Sequence, residues 1–310
     1  VAKFVKWNLT INWKKIKAIN EKEYYKNIDN LLKVKEISPW QYEIIYSYDS
    51  EWDKYEYEVQ KALEYWIDIE FSKDVLDELK DIKVDLEKEL ESREDLRNQF
   101  VISIDWDTAK DLDDAISVEK LPNWDFKLFV HIADVSHFVK MWSAIDKEAA
   151  KRWTSSYFLD KCIPMLAHLL SNNLCSLNPD TSKLTLTWET YITSTWEVDI
   201  EKSKIYTSVI DSKFRTTYWD VQNIKDWKFN VWDNLTFWNE ITQELKENIF
   251  WAFELWKLIN DKSYLEWELS FDFDTYKILL NDNKKAIWFE LEQRLESMAL
   301  IKAFMVVTNY

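Results

Sequence analysis

The sequence predicts an α+β protein built on a mixed sheet, and three observations carry that prediction. Short apolar-polar alternations fill roughly the first 65 residues, continuous apolar runs typical of buried strands recur between Phe100 and Ile210, and helical periodicities follow at 241–260 and 291–310. At 310 residues and 47% hydrophobic, the chain can bury a sizeable core. No stretch approaches the roughly 18 consecutive apolar residues of a membrane helix, and the N-terminus carries no signal-peptide pattern. Two cysteines, Cys162 and Cys175, cannot build a disulfide framework or a four-thiolate metal site. These features predict a soluble cytoplasmic protein without membrane partners, a monomer by default.

Taken in order, residues 1–68 alternate in short runs, from Phe4 through Ile11 and again over Tyr42–Tyr46, broken at turn-like Trp13, Trp40 and Trp52. They read as strands of a partial β-barrel. The span 69–99 changes character. Val75, Leu76, Leu79, Ile82, Leu86 and Leu90 recur at helical spacing among dense charge, with Ser72 as N-cap, so it reads as a solvated helical connector. From residue 100 to 310 strands are expected at 101–104, 115–118, 126–132, 184–187 and 204–210. The final helix keeps its rhythm to Tyr310 without a stop signal, and the chain starts at Val1 without a methionine. Both ends read as cut.

The composition is abnormal in one respect. An average chain of this length carries about 22 glycines at roughly 7% usage, whereas this one has none and has 19 tryptophans. The tryptophans stand in turn chemistry: Pro39-Trp40, Glu51-Trp52-Asp53, Asn123-Trp124-Asp125, Asp226-Trp227-Lys228 and Val231-Trp232-Asp233. Such positions demand φ > 0, which glycine supplies without steric cost. Many or all of these tryptophans are therefore expected to stand where the gene encodes glycine, through a stop codon that the source organism reads as glycine and a conceptual translation renders as tryptophan.

The net charge of −16 argues against a generally basic nucleic-acid coat protein. It leaves room for an enzyme that gathers metal ions in a carboxylate cluster. The informative segment is Asp105-Trp106-Asp107-Thr108-Ala109-Lys110-Asp111-Leu112-Asp113-Asp114, which lies between two apolar strands and so forms a loop where a sheet edge opens. Asp111 and Asp113 share a face at period two, and Asp105 and Asp114 can fold back toward them. Carboxylates that converge repel one another unless a cation sits among them, and hard oxygen donors suit Mg²⁺ or Mn²⁺. On spacing alone, a two-metal phosphodiesterase, a solvated acidic loop and a calcium-binding turn all remain open.

The segments that follow add a resemblance. Asp105-x5-Asp111-x-Asp113-Asp114 is similar to the four-aspartate motif of the ribonuclease II/R family of exoribonucleases. His131-Ile-Ala-Asp134-Val-Ser136-His137-Phe138-Val139 resembles that family's next signature strand. Arg152-Trp153-Thr154-Ser155-Ser156-Tyr157, Ile163-Pro164-Met165-Leu166, Leu170-Ser171-Asn172, Leu174-Cys175-Ser176-Leu177-Asn178-Pro179, Arg215-Thr216-Thr217-Tyr218 and Leu269-Ser270-Phe271-Asp272 follow in family order. Trp106, Trp153 and Trp267 fall where the family carries glycine.

The resemblance implies a mixed-sheet ribonuclease II-type catalytic domain at 100–310, C-terminally truncated and preceded by a partial OB-type, cold-shock-like barrel. It implies hydrolytic, processive 3′→5′ degradation of single-stranded RNA with a free 3′ end to nucleoside 5′-monophosphates. Asp105, Asp111, Asp113 and Asp114 would bind Mg²⁺ (Mn²⁺ as a substitute) and act catalytically, with Asp113 indispensable. Tyr157 would stack on a base near the 3′ end and Tyr218 would position terminal nucleotides. One departure stands out: Lys302 and Ala303 lie where the family usually has acidic residues, which keeps a non-catalytic RNA-binding relative as the alternative.

Other candidates are weaker. His131, Asp134 and His137 at i, i+3, i+6 would split across two faces of a strand and read better as hydrogen-bonded scaffold than as a metal triad. Cys175 reads as a small buried hydrophobe. Ser155 and Ser156 have no histidine pattern that suggests acyl transfer.

Overall fold

A computed structural model of the chain describes residues 3–5, 8–11, 14–18, 32–39, 41–47, 59, 61–62, 65, 67–158, 161–179, 181–265, 274–281 and 286–309. The chain divides into two compact units, Val1–Lys73 with Glu148–Met165, and Asp74–Lys147 with Leu166–Tyr310.

In the first unit, β1 (Lys3–Val5), β2 (Asn8–Ile11) and β3 (Lys14–Lys15) form an antiparallel sheet, and β4 (Leu32–Ser38) pairs antiparallel with β5 (Gln41–Ser47). Leu9, Ala18, Leu32 and Ile44 make a small buried core. The strands fall where period-two alternation predicts them. The turn positions Trp13, Trp40 and Trp52 lie outside the described residues, and the described strands form two separate small sheets rather than a barrel. In the same unit, Arg152, the last residue of the helix α4 (Ala144–Arg152), ties its segment down. Its guanidinium donates to the carbonyls of Pro164 and Glu70 at 3.1 and 2.7 Å and lies 4.0 Å over the Phe71 ring.

The second unit opens, from Asp74 onward, on the helix α1 (Lys73–Asp81), followed by α2 (Leu86–Leu90). The single connector helix expected from periodicity is thus interrupted. Asp85 adopts extended backbone, φ −99° and ψ 91°, and its side chain caps α2 by accepting from the Lys88 N–H. The local cap overrides the continuing apolar rhythm. Val75 and Leu79 are buried while Leu76 is exposed, as on a half-solvated helix.

A six-stranded mixed sheet follows, formed by β6 (Glu94–Asp95), β7 (Val101–Asp105), β8 (Asp114–Lys120), β9 (Phe126–Ala133), β12 (Ser182–Ile192) and β13 (Val198–Thr217). Its order is β12-β9-β8-β7-β13-β6. The 20-residue β13 pairs antiparallel with β12 and then, past an irregularity between Ser212 and Phe214, parallel with β7. One long strand therefore closes the sheet on itself. Its central strands lack alternation because both faces are covered: Val101 through Ile104 are all buried. The helices α5 (Tyr218–Lys225), α6 (Gln243–Leu265) and α7 (Glu296–Thr308) cover one face. Ile102, Ile116, Leu128 and Val130 share a core with Val221, Leu245, Ile249, Leu300 and Phe304.

The backbone bears on the tryptophan expectation. Among the described residues every positive φ belongs to a tryptophan: Trp124, Trp142, Trp153, Trp196, Trp227, Trp232 and Trp238, with φ between 59° and 80°. This left-handed region costs a side chain with a Cβ roughly 1–2 kcal/mol per residue and costs glycine nothing comparable. Six of the seven indoles are also exposed, from 66% at Trp124 to 86% at Trp153. Trp106 differs, for its backbone is ordinary, and Trp267 lies outside the described residues.

His131, fully buried on β9, shares a 2.8 Å hydrogen bond between Nδ1 and Thr187 Oγ1, and its Nε2 has no partner. Burial pushes its pKa down from the usual 6.5 to about 3. The unfolded chain therefore takes up a proton that the folded chain refuses. This contribution to stability is complete above pH 6.5 and drains away as pH falls toward 3. Between pH 5.5 and 4, wild type is expected to lose about 1.3 kcal/mol per pH unit more than His131→Asn, by chemical denaturation. Identical slopes would contradict the assignment of a neutral buried imidazole.

Candidate active site

The acidic loop is placed by its two strands. Asp105 is the last residue of β7 and Asp114 the first of β8, so residues 106–113 bridge an antiparallel pair. The end of β13 lies alongside, with Thr217 in register with Asp105. Asp114 pairs with Ile132 on β9, and the Ala133 N–H donates to the Asp113 carbonyl at 3.0 Å.

This geometry brings the four predicted aspartates within reach of one another's charge. Asp113 is held up at about 6, first because the surrounding protein strips part of its hydration and then by the charges of Asp111 and Asp105. Asp114 also rises to about 6, through burial and the charges of Asp105 and Asp113. Asp105 is raised by burial and by Asp111, against opposing pulls from the Trp106 N–H, which it accepts at 2.7 Å, and the charge of Arg215. Among the described residues, no three His, Cys, Asp or Glu side chains are spaced as a ready-made ligand set for one ion. The donor set still suits a hard divalent cation: it consists of carboxylates alone, and burial first, then their mutual repulsion, raises two of them to about 6, a cost that a bound cation would offset.

Tyr218 opens α5 directly beside Asp105. Burial and the charges of Asp105 and Asp114 raise its hydroxyl to about 12, so the phenol stays protonated. Its ring meets Trp106 edge-on at 5.4 Å. The turn that presents it is fixed by Asp220, which is buried and accepts from the N–H and hydroxyl of Thr217 and of Thr236, at 2.8–3.0 Å. Thr217 and Asp220 form a reciprocal capping box. The Thr-x-x-Asp signal at 217–220 stands in the sequence, but only the fold shows that it orients Tyr218. Arg215 is a second residue whose part sequence reasoning missed: it donates to the carbonyls of Ala109 at 2.5 Å and Asp107 at 3.3 Å, bracing the loop, and lies 4.1 Å over Phe237.

Tyr157 belongs to the other unit, on β10 (Ser156–Tyr157), which pairs with β11 (Cys162–Ile163); its side chain is 68% exposed. The histidine motif is scaffold. Only His131 is on the strand, because the chain turns after Ala133 and Asp134 caps the short helix α3 (Val135–Phe138). Asp134 accepts from Arg93 Nη2 at 2.6 Å, and Arg93 also reaches Glu89 at 2.9 Å. Cys175 is buried and its thiol is pushed up to about 12, mainly by desolvation, which makes it inert. Lys302 is exposed on α7, while Ala303 packs against the core.

Residues 93–310 match the family model for the RNB domain. The chain is 38% identical over 243 residues to ribonuclease R of Mycoplasmopsis pulmonis, covering 78% of this chain and 32% of that protein. Its fold matches Mycoplasma genitalium RNase R in complex with ribose-methylated single-stranded RNA at TM-score 0.80 and 24% identity, over all of this chain and 49% of that one. It also matches yeast Ssd1, a pseudonuclease, at TM-score 0.57 and 13% identity, over 97% of this chain and 38% of that one. The chain thus spans about a third of the length of the curated relatives it matches. With the RNB match running through the aspartate loop and the whole closed sheet, the chain belongs to the RNB-domain family of ribonuclease R and ribonuclease II.

Proposed function

We propose that the protein is a hydrolytic 3′→5′ exoribonuclease that degrades single-stranded RNA processively to nucleoside 5′-monophosphates. One observation supports the reading most: aspartates that feel one another's charge where β7 ends and β8 begins, in a chain whose relatives are ribonucleases R. Asp105, Asp111, Asp113 and Asp114 would hold Mg²⁺, or Mn²⁺ in its place. When bound, the metal supplies charge neutralisation at the scissile phosphate and lowers the pKa of the attacking water.

The chain's own residues do the rest. Arg215 and the β7–β8 strand ends fix the loop. Tyr218, protonated and half-buried beside Asp105, offers a neutral hydroxyl and a ring to the terminal nucleotides. Tyr157 offers an exposed ring on which any base can stack without sequence readout. The short antiparallel strands of residues 3–47 are read as the remnant of an OB-type barrel guiding single-stranded RNA.

A second reading, an RNA-binding relative without turnover, is favoured by Lys302 and Ala303 and by the use of this fold in a pseudonuclease. Mass analysis of products separates the two. The first reading expects nucleoside 5′-monophosphates from RNA with a free 3′-hydroxyl, and none from a matching DNA, because a ribose-specific site uses the 2′-hydroxyl. Tight 3′-end binding without products would establish the second.

A further inference from the structure

Ser176 is fully buried, and its hydroxyl is saturated. It donates to the Lys110 carbonyl at 2.9 Å and accepts from the Leu112 N–H at 3.0 Å and from Asn178 Nδ2 at 2.9 Å. Lys110 and Leu112 are the two chain neighbours of Asp111, so a single hydroxyl spans the backbone across that aspartate. The Leu177 N–H adds a bond to the Leu112 carbonyl at 2.8 Å.

The brace is itself anchored. Asn178 Nδ2 donates to the Asn172 carbonyl at 3.3 Å, and the buried ammonium of Lys183 donates to the Asn173 carbonyl at 2.7 Å. Both carbonyls belong to a π-helical turn over Leu170–Leu174. Such turns are rare and leave backbone groups out of the regular ladder, so external partners stabilise them. The path from Lys183 through this turn and Ser176 to the acidic loop is continuous hydrogen bonding within one compact unit.

We propose that Ser176 is a positioning residue for the metal-binding loop, holding the 110–112 backbone so that Asp111 stands beside Asp105 and Asp113. Without the hydroxyl, the Lys110 carbonyl and the buried Leu112 N–H lose their partner and the loop turns to find others. The carboxylates then no longer converge. This inference rests on the proposed metal site, and its test separates the failure of one from the failure of the other.

The test measures Mn²⁺ binding to the chain by isothermal titration calorimetry and the Mg²⁺ dependence of RNA hydrolysis. It compares wild type with Ser176→Ala and with Ser176→Cys, which fills the space but bonds weakly. Ser208→Ala is the reference, because Ser208 is equally buried and is bonded to Thr185 and Thr187 on the sheet. Both Ser176 variants are expected to bind Mn²⁺ about 10-fold more weakly. They should also need correspondingly more Mg²⁺ for half-maximal rate, while KM for RNA at saturating Mg²⁺ stays within about two-fold. Ser208→Ala should melt earlier yet bind Mn²⁺ like wild type. Wild-type Mn²⁺ affinity in Ser176→Ala and Ser176→Cys would overturn the proposal. If Ser176→Ala fails to fold, Ser176→Cys is judged by the same criterion. Absence of Mn²⁺ binding to wild type would instead overturn the metal site itself.

Discussion

Asp113→Asn is expected to reduce RNA turnover by about 10³-fold or more, a loss above roughly 4 kcal/mol of transition-state stabilisation. RNA affinity should change by no more than a few-fold. Asparagine keeps the shape of the side chain, so the backbone bond from Ala133 to residue 113 is undisturbed. What disappears is the charge. Asp113 is raised to about 6 by lost hydration and by Asp111 and Asp105, and its neutralisation relieves that repulsion. In metal-free buffer the variant should therefore melt no earlier than wild type. A stable, RNA-binding, inactive protein would separate a catalytic aspartate from a structural one. Cleavage retained at the wild-type rate would remove Asp113 from the site.

Glycine at the seven positive-φ positions is expected to have the largest effect on stability. At each site the indole forgoes the preferred backbone, and substitution at an incompatible φ costs more than the 0.4–1 kcal/mol of unfolded-state entropy that glycine adds. A net gain of roughly 0.5–1 kcal/mol per site gives about 4–7 kcal/mol if the sites act independently. At about 2–4 °C per kcal/mol for a chain of this size, the seven-fold variant should melt ~10 °C or more above the tryptophan protein. Substituting Trp188, Trp251 and Trp256, which lie on regular strand or helix and pack against the core, should give no such gain. Equal melting temperatures would contradict the strain argument. Mass spectrometry of the natural peptide spanning residues 98–110 tests the same expectation at Trp106. There the backbone makes no demand and the indole meets the Tyr218 ring edge-on.

Much of the second unit was legible locally. Apolar runs mark β7, β8 and β9 because both faces of these strands are covered, and the density of aspartates between two such runs marks the loop. The last two helices follow from periodicity. What escaped was long-range or capped. The closing of the sheet depends on β13 changing partners at residue 212, which no local pattern announces. The connector helix breaks at Asp85 because a capping side chain competes with the helical rhythm. Asp134 leaves the strand pattern because Arg93, 41 residues away, holds it. Ser176 and Asp220 serve the site from behind, through backbone carbonyls and N–H groups, and a hydroxyl or carboxylate gives no sign in sequence of which backbone it will meet. The aspartates were findable because their chemistry is in their charge.

The most direct test of catalysis at the acidic loop follows a 5′-labelled single-stranded RNA incubated with the protein, with and without Mg²⁺, alongside Asp113→Asn. Mg²⁺-dependent collapse of full-length RNA to a very short labelled end product is expected, with few intermediates if degradation is processive, and no shortening with the variant. Equal shortening without Mg²⁺ or with Asp113→Asn would contradict the assignment of catalysis to the acidic loop. Stable binding with no shortening under any condition would contradict the enzyme itself.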